Sequence, residues 1–184
     1  WAMELPGSGV GMEKVFGIAP ERSLPRFAGE SLVEWFRGRE PGVSEAESDR
    51  KVLLFPDTYT NYSYPEPGKA AVRVLEAAGV HVHIPTDLAP SGRAAYSVGL
   101  LDRAADRART NVAAFSEYVD DGWEVVAVEP SDAVVFQDEY TDLLATDDAE
   151  RVARHAYGVC EYLDVHRLVE SLPVSGDALG ESLA

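Results

Sequence analysis

The sequence predicts an α/β fold in three layers. A parallel sheet of about three strands carries helices on both faces, and an extended, partly helical arm precedes it. Short apolar runs stand at 52–55 and 125–128, and a second short strand is expected between them at 80–84. Runs of this length suit strands buried on both faces. Between them lie longer segments whose apolar residues are spaced three and four apart, as on one face of a helix. Strands that alternate with helices pair in parallel through right-handed crossovers.

Residues 1–50 read as a connecting arm and linker. Gly7-Ser8-Gly9-Val10-Gly11 has no strand before it, so it reads as a loose lead-in and not as a phosphate loop. Residues 31–37 predict a short helix with Leu32, Trp35 and Phe36 on one face. Residues 38–50 combine Gly, Pro, Ser and charges and read as a linker. The compact domain is expected over 51–170. Val52-Leu53-Leu54-Phe55 forms the first strand, closed by Pro56. Ser63-Tyr64-Pro65-Glu66 has capping-box spacing for a helix start. Ala71, Val74, Leu75 and Ala78 share that helix's face, and Gly79 stops it.

Val80 to Ile84 predicts the second strand. Val98, Leu101, Ala105, Ala108, Val112, Phe115 and Val119 then fall on one helical stripe, ended by Gly122. Val125-Val126-Ala127-Val128 is the third strand. Ser131 is placed to cap a helix carrying Phe136, Tyr140 and Leu143. Val152, Ala156, Val159 and Leu163 predict a last amphipathic helix. Residues 171–184 read as a tail or a linker to a following domain. The opening Trp1 suggests a piece of a longer polypeptide. A strand order of 2-1-3 would open a crevice between the first and third strands, beside Asp57 and Ser131.

Composition excludes several classes of function. The chain has 184 residues, enough for one domain with a sizeable core. Thirty-two acidic residues face sixteen basic ones, for a net charge of −16. Such a surface repels nucleic acid and anionic membranes, which are bound through cationic contacts. Only Lys14, Lys51 and Lys69 are lysines. An acid-rich, lysine-poor surface is expected in a salt-rich cytoplasm, where salt screens self-repulsion. Cys160 is the one cysteine, so neither an intrachain disulfide nor a thiolate metal cage can form. Its place in an apolar helical pattern suits a small buried hydrophobe. An intracellular location is expected.

Catalytic patterns are absent. No strand leads into a Gly-x-Ser-x-Gly elbow, so Ser91 reads as a turn residue and not as a nucleophile. His81 and His83 share a strand face but lack an acidic or thiol partner, and no metal is expected there. Asp147-Asp148 suits the start of a helix. Asp57, Asn61 and Asp132 are short polar residues at the carboxyl edge of the sheet. Each alone is explained by a turn or a helix cap, and together they suggest a shared site. Gly92-Arg93 adds backbone donors and a cation able to hold an anion.

Several segments carry a family resemblance. They are Phe16-Gly17-Ile18-Ala19-Pro20-Glu21-Arg22, Leu24-Pro25-Arg26-Phe27-Ala28 and Leu54-Phe55-Pro56-Asp57-Thr58-Tyr59-Thr60-Asn61-Tyr62. Ala70 to Gly79 and Val128-Glu129-Pro130-Ser131 continue them. The chain resembles, over about 12–165, the cysteine-rich (CCG) domain of FAD-linked and iron–sulfur 2-hydroxyacid dehydrogenases of the D-lactate dehydrogenase and glycolate oxidase type. Where that family carries Cys-Cys-Gly-Arg, this chain reads Pro90-Ser91-Gly92-Arg93. Where the family carries Glu-Pro-Ser-Cys, it reads Glu129-Pro130-Ser131-Asp132.

The resemblance implies a vestigial cofactor site at Asp57, Asn61, Ser91, Gly92, Arg93, Ser131 and Asp132, with no cluster in this chain. It implies FAD and iron–sulfur clusters in the rest of a full-length protein. The implied partners are the FAD-binding and iron–sulfur domains of the same polypeptide or complex. A cytoplasmic location follows, with peripheral contact to membrane electron acceptors at the inner face of the cell membrane. A degenerate module supporting electron transfer is the leading expectation. A stand-alone interaction or small-molecule-binding domain is the alternative.

Overall fold

A computed structural model describes residues 25–172, together with 13–15, 17 and 19. The glycine-rich lead-in at 7–11 and the tail beyond residue 172 lie outside the described residues. The sheet is fully parallel, with strands β1 (Lys51–Phe55), β2 (His81–His83), β3 (Trp123–Ala127) and β4 (Ala156–Gly158) in the order β2-β1-β3-β4. The expected order 2-1-3 is present, and a fourth strand extends it. Lys51 pairs with both His81 and Trp123, so the first three strands start in register.

The helices are α1 (Leu32–Arg37), α2 (Thr58–Tyr62), α3 (Pro65–Ala77), α4 (Arg93–Ser97), α5 (Leu101–Asp120), α6 (Pro130–Val134), α7 (Tyr140–Leu144), α8 (Asp147–Arg154) and α9 (Val159–Val165). A π-helical turn at Val135–Glu139 joins α6 to α7. Two apolar layers sandwich the sheet because strand side chains alternate in direction. Leu53, Phe55, Val125 and Ala127 face α5 to α8, where Phe115, Phe136 and Tyr140 are fully buried. Val52, Leu54 and Val126 face the other way. They pack with Leu32 of α1, Val72 and Leu75 of α3, and Tyr162 of α9, all fully buried.

Local chemistry sets the element ends. Ser31 caps α1 through a capping box with Glu34. Gly79 and Gly122 end α3 and α5 with positive φ, where a side chain would be strained. The expected Ser63 capping box does not form. Tyr64 stands at the start of α3 with no side-chain cap, while Asp57 caps the preceding α2 and Ser63 closes α2 by donating its N–H to Tyr59 O at 2.9 Å. The Ser131 cap is also corrected. Pro130 occupies the first helical position, which makes Glu129 the cap, and Glu129 Oε1 accepts the Ser131 N–H at 3.3 Å.

The long stripe holds from Ala105 to Val119, but Val98 and Leu101 are exposed. Gly99, at φ +77°, breaks the chain between α4 and α5, so Val98 never joins the stripe. The predicted last helix is split. Val152 lies in α8 and Ala156 in β4, while Val159 and Leu163 lie in α9. Cys160 is exposed and not the expected buried hydrophobe. No helix among the described residues is long and apolar enough to cross a membrane.

Candidate functional site

Loops after β1, β2 and β3 meet at the carboxyl edge of the sheet. Asp57 follows β1 and is buried. Its Oδ1 accepts the N–H groups of Tyr59 at 2.9 Å and Thr60 at 3.0 Å. Its Oδ2 is buried without a hydrogen-bond partner among the described residues. Ser91 follows β2 and Asp132 follows β3, and both are buried. Ser91 Oγ donates to Asp132 Oδ1 at 2.5 Å, which ties the second loop to the third.

Burial is the main reason the Asp132 carboxyl is pushed up, to about 6. The Ser91 hydrogen bond opposes that shift. The charges of Asp57 and Glu129 add to it, and Arg93 opposes it. Gly92 adopts φ +91°, and a Cβ there would sit 3.4 Å from Ala104 O. Glycine therefore allows the loop to turn against α5. Arg93 donates its N–H to Ser91 Oγ at 3.3 Å, while its guanidinium reaches Ser97 Oγ at 2.8 Å.

A second layer of polar contacts supports the Ser91 loop. Asn111 Oδ1 accepts the Ala89 N–H at 2.9 Å, and Asn111 Nδ2 donates to Ala89 O at 3.1 Å. The same amide donates to Tyr140 Oη at 2.9 Å, and Tyr140 donates to Ser91 O at 2.8 Å. Burial raises the Tyr140 phenol, which stays neutral and able to donate. Sequence reasoning missed Asn111 and read Tyr140 only as an apolar residue. The signal was present, since Asn111 interrupts the buried stripe between Ala108 and Phe115 at helical spacing.

The structure thus brings together Asp57, Ser91, Gly92, Arg93 and Asp132. It leaves Asn61 and Ser131 out of that cluster. Ser131 is half-buried at the start of α6. Asn61 lies on α2 and accepts the Val33 N–H at 3.1 Å, facing a crevice beside β1 and β2.

The cluster does not fit an iron–sulfur centre. Such centres are held mainly by cysteine thiolates. Ser91 and Asp132 bond to each other, and Cys160 lies on α9 after β4. Among the described residues, no group of three or more His, Cys, Asp or Glu could hold a metal ion. His81 and His83 both pack edge-on against Trp123, and His81 Nδ1 contacts Val43 O at 2.8 Å.

No protein-family model matches the chain, and no solved structure matches it. Curated proteins do. A subunit of the anaerobic glycerol-3-phosphate dehydrogenase of Escherichia coli K12 is 27% identical over 138 residues, covering 74% of this chain and 34% of that protein. The D-2-hydroxyglutarate dehydrogenase of Pantoea ananatis is 22% identical over 145 residues, covering 78% of this chain and 14% of that protein. The chain therefore spans about a third of the first relative's length and less of the second's. At this low identity, it is related to parts of dehydrogenase proteins.

Proposed function

We propose that this chain is a degenerate CCG-type module of an FAD- and iron–sulfur-linked oxidoreductase acting on a 2-hydroxyacid such as D-lactate or glycolate. The module supports the electron-transfer assembly structurally and carries no cluster of its own. Its partners are the FAD-binding and iron–sulfur domains of the same polypeptide or complex, in the cytoplasm or at the inner face of the cell membrane.

One observation carries this reading. The buried Ser91–Asp132 hydrogen bond joins the two loops that hold cysteines in the family the chain resembles. That direct side-chain link between the two loops supports a module that carries no cluster. The dehydrogenase relatives support the oxidoreductase setting.

Anaerobic reconstitution with ferrous iron and sulfide tests it. The unmodified chain stays colourless, and the triple variant Pro90→Cys, Ser91→Cys, Asp132→Cys gains iron and iron–sulfide absorption. Cluster uptake by the unmodified chain, or a folded triple variant that remains colourless, contradicts the reading.

A further inference from the structure

A crevice of about 400 Å³ lies beside the carboxyl ends of β1 and β2, between α1, α2 and the loop at 85–90. This volume falls within the range of small-molecule sites. Val33, Phe55, Leu88 and Pro90 supply apolar wall. Its polar lining includes Asn61, Arg37 and Glu34 together with hydroxyl-bearing residues. Asn61 is only 7% exposed. Because its Oδ1 accepts the Val33 N–H, its Nδ2 is fixed as the other end of the amide. That Nδ2 has no hydrogen-bond partner among the described residues. Arg37 lines the same crevice and forms no ion pair among the described residues.

Glu34 is the acidic group on this wall, and one oxygen of its carboxylate is engaged in the α1 cap. Its Oε2 accepts both the N–H and the O–H of Ser31 at 2.8 Å, which completes the α1 cap. The crevice therefore offers an amide donor and a guanidinium that have no hydrogen-bond or ion-pair partner among the described residues, next to an apolar wall. A guanidinium fork matches the geometry of a carboxylate.

We infer that this crevice binds a small organic carboxylate, with its charged end on Arg37 and Asn61 and its aliphatic body against Phe55 and Leu88. The site is separate from the Ser91–Asp132 cluster and does not rest on the proposed redox setting.

Titration of the isotopically labelled chain, followed by NMR at constant ionic strength, tests the inference with butyrate, butyramide and inorganic phosphate as probes. Butyrate shifts the Asn61 side-chain amide and the Val33 N–H saturably, and butyramide and phosphate each bind at least about tenfold more weakly. Arg37→Gln, at an exposed position, weakens butyrate by about tenfold or more. Asn61→Asp keeps the acceptor for Val33 and replaces the donor with a charge, so butyrate binding is lost. Equal binding of butyrate and butyramide overturns charge recognition. Phosphate binding as tight as butyrate overturns the apolar part. Undiminished butyrate binding in Arg37→Gln, or no saturable shift in the unmodified chain, overturns the inference as a whole.

Discussion

Asp132 concentrates the chemistry of the carboxyl edge in one side chain. Its folded-state value of about 6 lies above its ordinary value of 3.8. The folded state therefore holds the proton more tightly than the unfolded chain. Its contribution to stability is most favourable below the unfolded value and falls as pH rises from about 4 to about 6. That difference corresponds to about 3 kcal/mol lost above the window. Asp132→Asn keeps an acceptor for Ser91 and cannot ionise. The variant should be more stable than the unmodified chain at pH 8, by up to about 3 kcal/mol. Its denaturant midpoint should also change less between pH 4 and 7. An unchanged pH profile would show that Asp132 does not titrate in this window. The short polar residues at the strand ends were legible in the sequence because each follows a recognisable strand. The pairing of Ser91 with Asp132 was not, because they lie forty-one positions apart and local pattern carries no long-range distance.

Among the elements, close packing decides where the arm sits. Gly68 lies inside α3, and a Cβ there would come within 2.5 Å of Leu32 Cδ2 and 2.6 Å of Thr60 Cγ2. Leu32 is fully buried, so its side chain must shift within the packed core to make room. Gly68→Ala should therefore destabilise by about 1–3 kcal/mol, despite alanine's better helix propensity. Equilibrium unfolding measures this, and a stabilised variant would show that α1 yields easily. Three strands were readable, β1 and β3 as apolar runs and β2 as the short segment Val80 to Ile84 closed by Pro85. β4 was not, because Ala156-Tyr157-Gly158 is short and sits inside residues spaced like a helix. Its strand character comes from pairing with β3, with Val125 opposite Ala156. The same limit hid the break at Gly99 within the predicted long helix. The cap expected of Ser63 fails because Ser63 closes α2, and Tyr64 begins α3 with no side-chain cap.

For the molecule as a whole, charge is the dominant property. A net charge of −16 on 184 residues repels itself in the compact state. Screening lengths shorten from about 10 Å at 0.1 M salt to about 3 Å at 1 M. The melting temperature should rise on going from low salt to molar potassium chloride, and more than in an equally concentrated neutral osmolyte. Equal responses would remove charge screening as the cause. The fold class and strand order were legible because strand–helix alternation restricts topology so strongly. The functional setting rests on loop resemblance and on distant dehydrogenase relatives matched over only part of their length. The decisive measurement captures the native polypeptide from its source cells with an antibody to this domain, then determines its mass, flavin and iron. A module of a redox assembly gives a band far above 20 kDa, in an assembly that contains both cofactors. A 20 kDa species with neither flavin nor iron would contradict it.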